Sequence, residues 1–413
     1  MSSDTPPRLG LAQMAQHRNF LLLAGAVFCV GGAFGVQIPL FANFIFERFG
    51  VRTHEYGYLE ALRETPGFLV VAMSALVMVV AAPRLSMVCL LVMGAGLAAY
   101  AWITDIATLL GGSAIMALIV TSVFWSIGFH VWAPLQNTLA LRYAPSDETG
   151  RWLGWLRTTS GVGHMTMMGI ALLLIRVVEY EGMFIFAGAL LVVGAILVGL
   201  AGKGDRTVVE QPRERRILFR KRYNVYYLLI FLQGARKQIF LMFAVWLLVK
   251  GHGAVRETIL ILMLINQVLN LLIAPTMGKV VDRYGERLTL SVSFAMLALV
   301  FLGYAFVPQT NALYVLYVVD HLLFVGGIAM TTYLNKIAPR EDIRPTLTMG
   351  VTLNHIPSVL VPLIGGLMWI KLGHTVVFVG GAAFATMSLI VAQWVRPDAP
   401  IAAPLQAEPE PAD

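Results

Sequence analysis

The sequence has 413 residues, of which 58% are hydrophobic and 13% charged, with a mean hydropathy of +0.75 and a formal net charge of +7. Soluble domains carry about 25% charged residues, so the composition excludes an ordinary soluble protein and predicts that most of the chain lies in lipid. The basic residues stand mostly between apolar runs, where membrane proteins place them, so the positive charge does not indicate a nucleic-acid partner.

The chain begins with a polar stretch, 1–19, followed by an apolar run that lacks the cleavage site of a signal peptide. We therefore interpret that run as a retained membrane helix. A spanning helix needs about 20 residues. Twelve runs meet this requirement: 20–41, 57–82, 86–104, 108–135, 152–176, 183–201, 224–249, 257–277, 288–306, 312–335, 346–370 and 374–395. An even number of spans places both termini on one side of the membrane.

The distribution of Lys and Arg between the spans predicts which side that is. The segment 203–222 carries Lys203, Arg206, Arg213, Arg215, Arg216, Arg220, Lys221 and Arg222. Loops on the same side add Arg8, Arg18, Arg84, Arg142, Arg151, Lys279, Arg283, Arg287, Lys336, Arg340, Arg344 and Arg396. The opposite side has only Arg48, Arg52, Arg176, Lys250, Arg256 and Lys371. The positive-inside rule thus predicts cytoplasmic termini in a multi-pass protein of the cell inner (cytoplasmic) membrane.

The long basic loop, 202–223, separates two halves of six spans, 20–201 and 224–395. Three weak matches in the same order indicate that one half duplicates the other. They pair "FCVGGAFGVQIPLFANF" with "FLQGARKQIFLMFAVW", "APRLSM" with "GERLTL", and "YAPSDETGRWLGW" with "IAPREDIRPTLTMG". Repeated bundles around a midplane site are typical of secondary transporters. The remaining tail, 396–413, is acidic and rich in Pro and Ala, and we expect it to be disordered.

The loop between the eighth and ninth spans reads "GKVVDRYGERLTL" and resembles the G-x-x-x-D-R-x-G-x-R signature of the major facilitator superfamily. The matching residues are Gly278, Asp282, Arg283, Gly285 and Arg287. The resemblance implies an all-α integral membrane fold with twelve transmembrane helices in two pseudo-symmetric six-helix bundles. It also implies that this loop is a gating motif, whose charge pairs form and break as the transporter alternates. The equivalent first-half loop, "VVAAPRLSMV", lacks the Asp-Arg pair and the glycines.

Ionisable residues inside the spans indicate where a site lies. They are Glu60, Arg63, Glu64, His130, Arg157, His164, Arg236, Lys237, Asp320, His321 and His355. A charge at the centre of a bilayer costs at least about 2.5–3.5 kcal/mol on insertion scales, so each needs water or a partner. The third, sixth, ninth and twelfth spans have none in their interiors. In the resembled family those four helices are the outer scaffold, and the other eight surround the cavity.

Arg236 and Lys237 are adjacent near the centre of "LLIFLQGARKQIFLMFAVWLLV" and point about 100° apart on a helix. We expect one to reach the substrate and the other to pair with a carboxylate, Asp320 or Glu64. The spans contain four deep cations, Arg63, Arg157, Arg236 and Lys237, but only three deep carboxylates, Glu60, Glu64 and Asp320. This surplus of positive charge favours an anionic or zwitterionic solute. The predicted substrate-binding residues are Arg63, Arg157, Arg236, Lys237, Gln233, Asn266 and Gln267. The alternative is a structural role, above all for Glu60, Arg63 and Glu64, which can satisfy one another.

Asp320 and His321 are the first candidates for proton coupling, with His355 and Glu64 as further candidates. A buried carboxylate responds to changes in its neighbours, and histidine titrates near neutral pH. An intramembrane histidine can instead hydrogen-bond a neighbouring helix without any role in transport.

The predicted function is secondary active transport of a small solute by alternating access, coupled to protons, by a monomer in the lipid bilayer. One alternative is a permease for a soft, copper-like metal that uses His164 and Met168 of "GHMTMMG". Others are a lipid or lysolipid flippase and a non-transporting membrane receptor. The sequence contains neither a Walker loop nor a recognisable catalytic motif, so we expect no enzyme activity, no cofactor and no resident metal.

Overall fold

The computed structural model describes residues 18–68, 80–145, 148–202, 219–323 and 327–397, and these ranges contain helices joined by short turns, without a strand. The helices are α1 Arg18–Phe49, α2 Thr53–Glu64, α3 Ala82–Ala98, α4 Ile103–Leu109, α5 Ala114–Tyr143, α6 Thr149–Ala201, α7 Asn224–Gln238, α8 Arg256–Phe306, α9 Thr310–Leu323, α10 Gly327–Ile337, α11 Arg340–Leu372 and α12 His374–Ala392. The all-α class predicted from the sequence is confirmed.

Ten helical segments of the described part are long and apolar enough to cross a membrane. One of them, α6, has 53 residues and breaks at Glu179, where φ is 58° and ψ is −177°. Two of the predicted spans, 152–176 and 183–201, lie on either side of this break. The helix α8 breaks in the same way at Gly285, with φ 76°, a value that glycine adopts without strain. The predicted second span, 57–82, is described only in part, since 69–79 lie outside the described residues. The predicted count of twelve spans is consistent with this architecture.

By proximity of Cα atoms the chain divides into two compact units. The first contains Met1–Gln211 and Val245–Val268, and the second contains Pro212–Ala244 and Leu269–Asp413. Most of the predicted tails, 1–19 and 396–413, and most of the basic loop 202–223 lie outside the described residues.

The end of the basic loop is anchored within the second unit by a single carboxylate at the start of α11. Asp342 is buried and accepts hydrogen bonds from Arg220 at 2.9 Å and from the Tyr223 hydroxyl at 2.5 Å. Arg222 binds the same carboxylate oxygen. These contacts fix the chain where it enters α7, the helix that carries the two adjacent intramembrane cations.

Close packing of α1 against α6 in the first unit depends on glycine. A Cβ atom on Gly163 would lie 2.2 Å from the carbonyl oxygen of Phe28, and one on Gly31 would lie 2.2 Å from that of Ser160. Because these neighbours are backbone atoms, a rotamer change cannot relieve such a clash. The helices approach at these points because the residues have no side chain, as in other small-residue interfaces between membrane helices.

We expect Gly163→Ala to lower the free energy of unfolding by about 1–3 kcal/mol, the usual cost of overpacking. Gly161→Ala is the matched control two residues earlier, since a Cβ there would meet nothing within 4 Å. It should leave stability unchanged or raise it by up to about 1 kcal/mol through helix propensity. Thermal unfolding of both purified variants in detergent tests this difference, and equal midpoints would contradict the packing argument.

The segment 245–268 is joined to the rest of the first unit by a few specific bonds. The buried Trp246 donates its indole N–H to the Thr53 hydroxyl at 2.9 Å, and Arg256 pairs with Glu179 at 2.8 Å. Glu179 is 48% exposed, so this ion pair contributes about 0–1 kcal/mol, and the buried hydrogen bond contributes a similar amount.

Candidate functional site

The helix α7 brings Arg236 against Asp320 of α9 in the interior of the second unit. The Arg236 Nη1 atom lies 3.6 Å from Asp320 Oδ1, and the two residues are 1% and 0% exposed. A charge buried this deeply is stable only beside an opposite charge. The predicted pairing of one of the two adjacent cations with Asp320 is found for Arg236.

Aromatic side chains surround this ion pair. Tyr317, one turn before Asp320, stacks on Phe240 with ring centroids 5.0 Å apart and an interplanar angle of 27°. Both rings are buried, and Phe240 also lies 5.9 Å from the ring of His321. These rings keep water from the pair, which strengthens the attraction between the two charges.

The chain after Arg236 and Lys237 continues as two π-helical segments, Ile239–Ala244 and Leu247–Gly251. Phe240 belongs to the first of them. Segments of π-helix are uncommon and occur frequently at functional sites. The irregular stretch therefore adds a reason to place the candidate site on this helix.

Lys237 points to a different neighbour, as expected for residues about 100° apart. It is partly buried, and its ammonium group donates a hydrogen bond of 3.1 Å to the side-chain oxygen of Asn354 on α11. Arg236 thus meets a carboxylate, whereas Lys237 meets a neutral amide. The sequence alone assigned no role to Asn354.

The remaining residues predicted in the second unit lie on the same group of helices. The Nε2 atom of His321 lies 2.7 Å from the side-chain nitrogen of Asn270 on α8. His355 is partly buried and follows Asn354 on α11. Gln233 is also partly buried, with its amide nitrogen near Gly327 at the start of α10.

A second cluster lies in the first unit, on α2 and α5. Arg63 binds Glu60 at 2.6 Å and Glu64 at 2.9 Å, and its guanidinium lies 5.6 Å from the ring centroid of Trp125. Ligand atoms of Glu64 and His130 lie within 4.8 Å of each other. Because two carboxylates share Arg63, the three residues Glu60, Arg63 and Glu64 together carry one more formal negative charge than positive. The structural role considered for Arg63 is consistent with this geometry.

The other residues predicted to bind substrate do not join either cluster. Arg157 on α6 is exposed and forms no ion pair with any residue that the structure describes. Asn266 is 1% exposed, and neither of its amide atoms has a hydrogen-bond partner within the described ranges. Gln267 is partly buried. An amide buried without a partner is costly.

The residues considered for a soft metal both lie on α6, where Met168 is fully buried and His164 partly buried. Within the described part of the chain, His164 does not belong to any group of three His, Cys, Asp or Glu ligands.

The loop that resembles the family signature is held at its C-terminal end by Glu286 and Arg287. Arg287 donates hydrogen bonds of 3.4 and 3.2 Å to Gln393, while Asp282 and Arg283 are exposed. Gly278 is partly buried, and Gly285 forms the break in α8. Glu286, which the signature does not include, is 1% exposed and pairs with Lys336 at 2.7 Å. Sequence reasoning missed Glu286, because its burial follows from the turn at Gly285.

Comparison with known proteins agrees with the helical architecture. A statistical model of the family described as "Major Facilitator Superfamily" matches residues 23–224 and 226–412. No curated protein matches the sequence.

Solved transporter structures share the fold at low sequence identity. The nucleoside transporter NupG has a TM-score of 0.71 and 16% identity, covering 91% of this chain and 98% of that one. A D-xylose-proton symporter has a TM-score of 0.66 and 16% identity, with 92% and 96% coverage. A POT family transporter in complex with 5-aminolevulinic acid has a TM-score of 0.68 and 11% identity, with 92% and 95% coverage.

Proposed function

The chain belongs to the Major Facilitator Superfamily, and from that premise we propose that it moves a small anionic or zwitterionic solute across the cytoplasmic membrane. Transport occurs by alternating access and is coupled to protons. Both termini face the cytoplasm and the protein works as a monomer. Of the similar structures, one is of a proton symporter and one holds 5-aminolevulinic acid, and these names support a small solute and a proton as cargo.

The observation that carries the solute assignment is the difference between the partners of Arg236 and Lys237. Arg236 is buried against Asp320, and its charge is used within the protein. Lys237 is partly buried and donates a hydrogen bond to the side-chain oxygen of Asn354. A solute carboxylate can therefore gain a charge-assisted hydrogen bond at Lys237.

Within the first unit, Glu60, Arg63 and Glu64 form a cluster of two carboxylates and one guanidinium that can satisfy one another, and we assign this cluster a structural role. Gln233 of the second unit, and Asn266 and Gln267 of the first, are candidates for uncharged hydrogen bonds to the solute. Arg157 is the least supported of the predicted contacts, since its side chain is exposed.

Proton coupling is assigned first to Asp320. Protonation of this carboxylate removes the negative charge that faces Arg236, so the buried guanidinium must find another partner or move. His321 follows Asp320 in the chain and contacts Asn270, which makes it the second candidate. His355 and Glu64 remain candidates because each lies on a helix that carries one of the two clusters.

Uptake into proteoliposomes tests the proposed function. The panel contains radiolabelled carboxylates, amino acids, a nucleoside, a sugar and a lysolipid, each measured with and without an inward proton gradient. We expect at least one carboxylate-bearing solute to accumulate above protein-free vesicles, and its accumulation to increase with the gradient. Uptake confined to neutral solutes or to the lysolipid would contradict the assignment, and equal uptake with and without the gradient would contradict proton coupling.

A further inference from the structure

We propose that the protein binds an anionic phospholipid at one end of α8 and α12, with the lipid phosphate on Arg287 and an acyl chain along the seam between the two helices. The inference requires only that the chain crosses a membrane, so it is independent of the solute and of proton coupling. It rests on the way Arg287 is held, on the charged and aromatic residues beside it and on the length of the seam.

The Arg287 guanidinium is held in place by a neutral side chain. Its Nε and Nη2 atoms donate to the side-chain oxygen of Gln393 at 3.4 and 3.2 Å. Gln393 is oriented in turn, because its amide nitrogen donates to the Ser291 hydroxyl and to the Leu389 carbonyl oxygen, each at 2.9 Å. Among the residues that the structure describes, Arg287 forms no ion pair, and its Nη1 group is left for a further acceptor. Phosphate is an acceptor whose geometry matches a guanidinium.

The surface around Arg287 is positively charged. The exposed ionisable residues of 276–288 and 393–397 are Lys279, Asp282, Arg283, Arg287 and Arg396. Four of these are cations and one is a carboxylate, so an anion is attracted to this end of the two helices. Basic surfaces between membrane helices are typical binding sites for anionic lipid headgroups.

Aromatic side chains place Arg287 at the depth of the headgroups. Trp394, directly after Gln393, is 57% exposed, and Tyr284, three residues before Arg287, is 53% exposed. The Arg283 guanidinium lies 5.3 Å from the centroid of the Tyr284 ring. Exposed Trp and Tyr at the ends of spanning helices mark the interface between membrane and water. A phosphate that reaches Arg287 at this depth belongs to a lipid more readily than to a soluble anion.

The seam between α8 and α12 is long enough for an acyl chain. From Arg287 and Gln393 the helices run antiparallel as far as Tyr304 and Phe378, whose stacked rings have centroids 5.1 Å apart. At 1.5 Å per residue the distance from Arg287 to Tyr304 is about 25 Å, more than the roughly 15 Å of hydrocarbon in one leaflet. Both helices expose apolar side chains over this length, namely Leu288, Val292 and Met296 on α8 and Met387 and Ile390 on α12.

The test titrates the purified protein in detergent with phosphatidylglycerol, with phosphatidylcholine of the same acyl chains and with inorganic phosphate. Native mass spectrometry measures the bound lipid, and thermal unfolding measures stabilisation. We expect the parent to bind phosphatidylglycerol at least about tenfold more tightly than phosphatidylcholine, and inorganic phosphate at the same concentration to leave the unfolding midpoint unchanged. Arg287→Gln should lose at least about tenfold in affinity for phosphatidylglycerol, and Arg287→Lys should retain part of it.

Arg176→Gln is the matched control, because Arg176 is also an exposed arginine but is paired with Glu257 at 3.0 Å. It should bind phosphatidylglycerol like the parent. An equal loss of affinity in Arg176→Gln and Arg287→Gln would mean that only net charge matters, and parental affinity in Arg287→Gln would remove Arg287 from the site. Either result overturns the proposal.

The two other ligands test the remaining parts of the proposal. Equal affinities of the parent for the two lipids would overturn recognition of the headgroup, and stabilisation by inorganic phosphate alone would overturn the role of the seam. If Arg287→Gln does not fold, Gln393→Leu decides the matter, since it keeps the charge but removes the oxygen that holds the guanidinium. An affinity within about twofold of the parent's would then contradict the site. None of these results depends on solute transport, so the proposed function is tested separately.

Discussion

Arg236→Gln should lower the free energy of unfolding by about 3–5 kcal/mol, whereas Lys237→Gln should change it by less than about 1 kcal/mol. The first substitution leaves the Asp320 carboxylate, which is 0% exposed, without its opposite charge. The second removes one hydrogen bond from a partly buried side chain. The two residues are adjacent in the chain, so each variant is a close control for the other.

The double variant Arg236→Gln with Asp320→Asn tests whether the lost stability comes from the uncompensated charge of Asp320. It removes both charges and leaves two amides of similar size that can hydrogen-bond each other. Most of the lost stability should return, since an uncompensated buried charge is costlier than the absence of an ion pair. Thermal or denaturant unfolding in detergent measures the stability of the parent, Arg236→Gln, Lys237→Gln and the double variant. If Arg236→Gln is as stable as the parent, or if the double variant is as unstable as Arg236→Gln, the ion pair does not stabilise the packing of α7 against α9.

The same double variant separates the effect of Asp320 on protein stability from its proposed role in proton coupling. If Asp320 takes up the proton, a folded protein without that carboxylate should still exchange solute, but a proton gradient should no longer increase accumulation. If a proton gradient still drives accumulation in this variant, Asp320 does not take up the proton, and His321, His355 and Glu64 become the candidates.

Lys237→Gln should strongly weaken binding of the carboxylate-bearing solute while the protein remains folded. Loss of a charge-assisted hydrogen bond to a solute costs about 1.5–3 kcal/mol, which corresponds to a tenfold to more than hundredfold weaker affinity. Lys237→Arg keeps the charge with a different shape and should retain part of the affinity. Titration with the solute, followed by thermal shift, measures the affinity of Lys237→Gln and of Lys237→Arg. Equal affinities in the glutamine variant and the parent would remove Lys237 from the site.

Much of the fold could be predicted from hydrophobic run length alone, because a membrane helix must be long and apolar wherever it contacts lipid. The limits of this reasoning appear at the turns. The stretch around Gly285 was predicted as a loop, but it is helical apart from the glycine itself. A polar sequence is compatible with a helix that extends beyond the bilayer, so polarity does not mark where a helix ends.

The candidate site was predicted only in outline. Helical geometry required Arg236 and Lys237 to face different neighbours, but which neighbour each one meets depends on how α7, α9 and α11 pack. The spacing of Glu60, Arg63 and Glu64 did indicate that these side chains could satisfy one another, and the structure shows Arg63 bound by both carboxylates.

Uptake by Lys237→Gln in proteoliposomes tests most directly the claim that Lys237 binds the solute while Arg236 is occupied by Asp320. The solute is the carboxylate that the parent accumulates, and Lys237→Arg is measured beside it. We predict uptake at the level of protein-free vesicles for Lys237→Gln, with an unfolding midpoint close to that of the parent. Parental uptake by this variant would contradict the assignment.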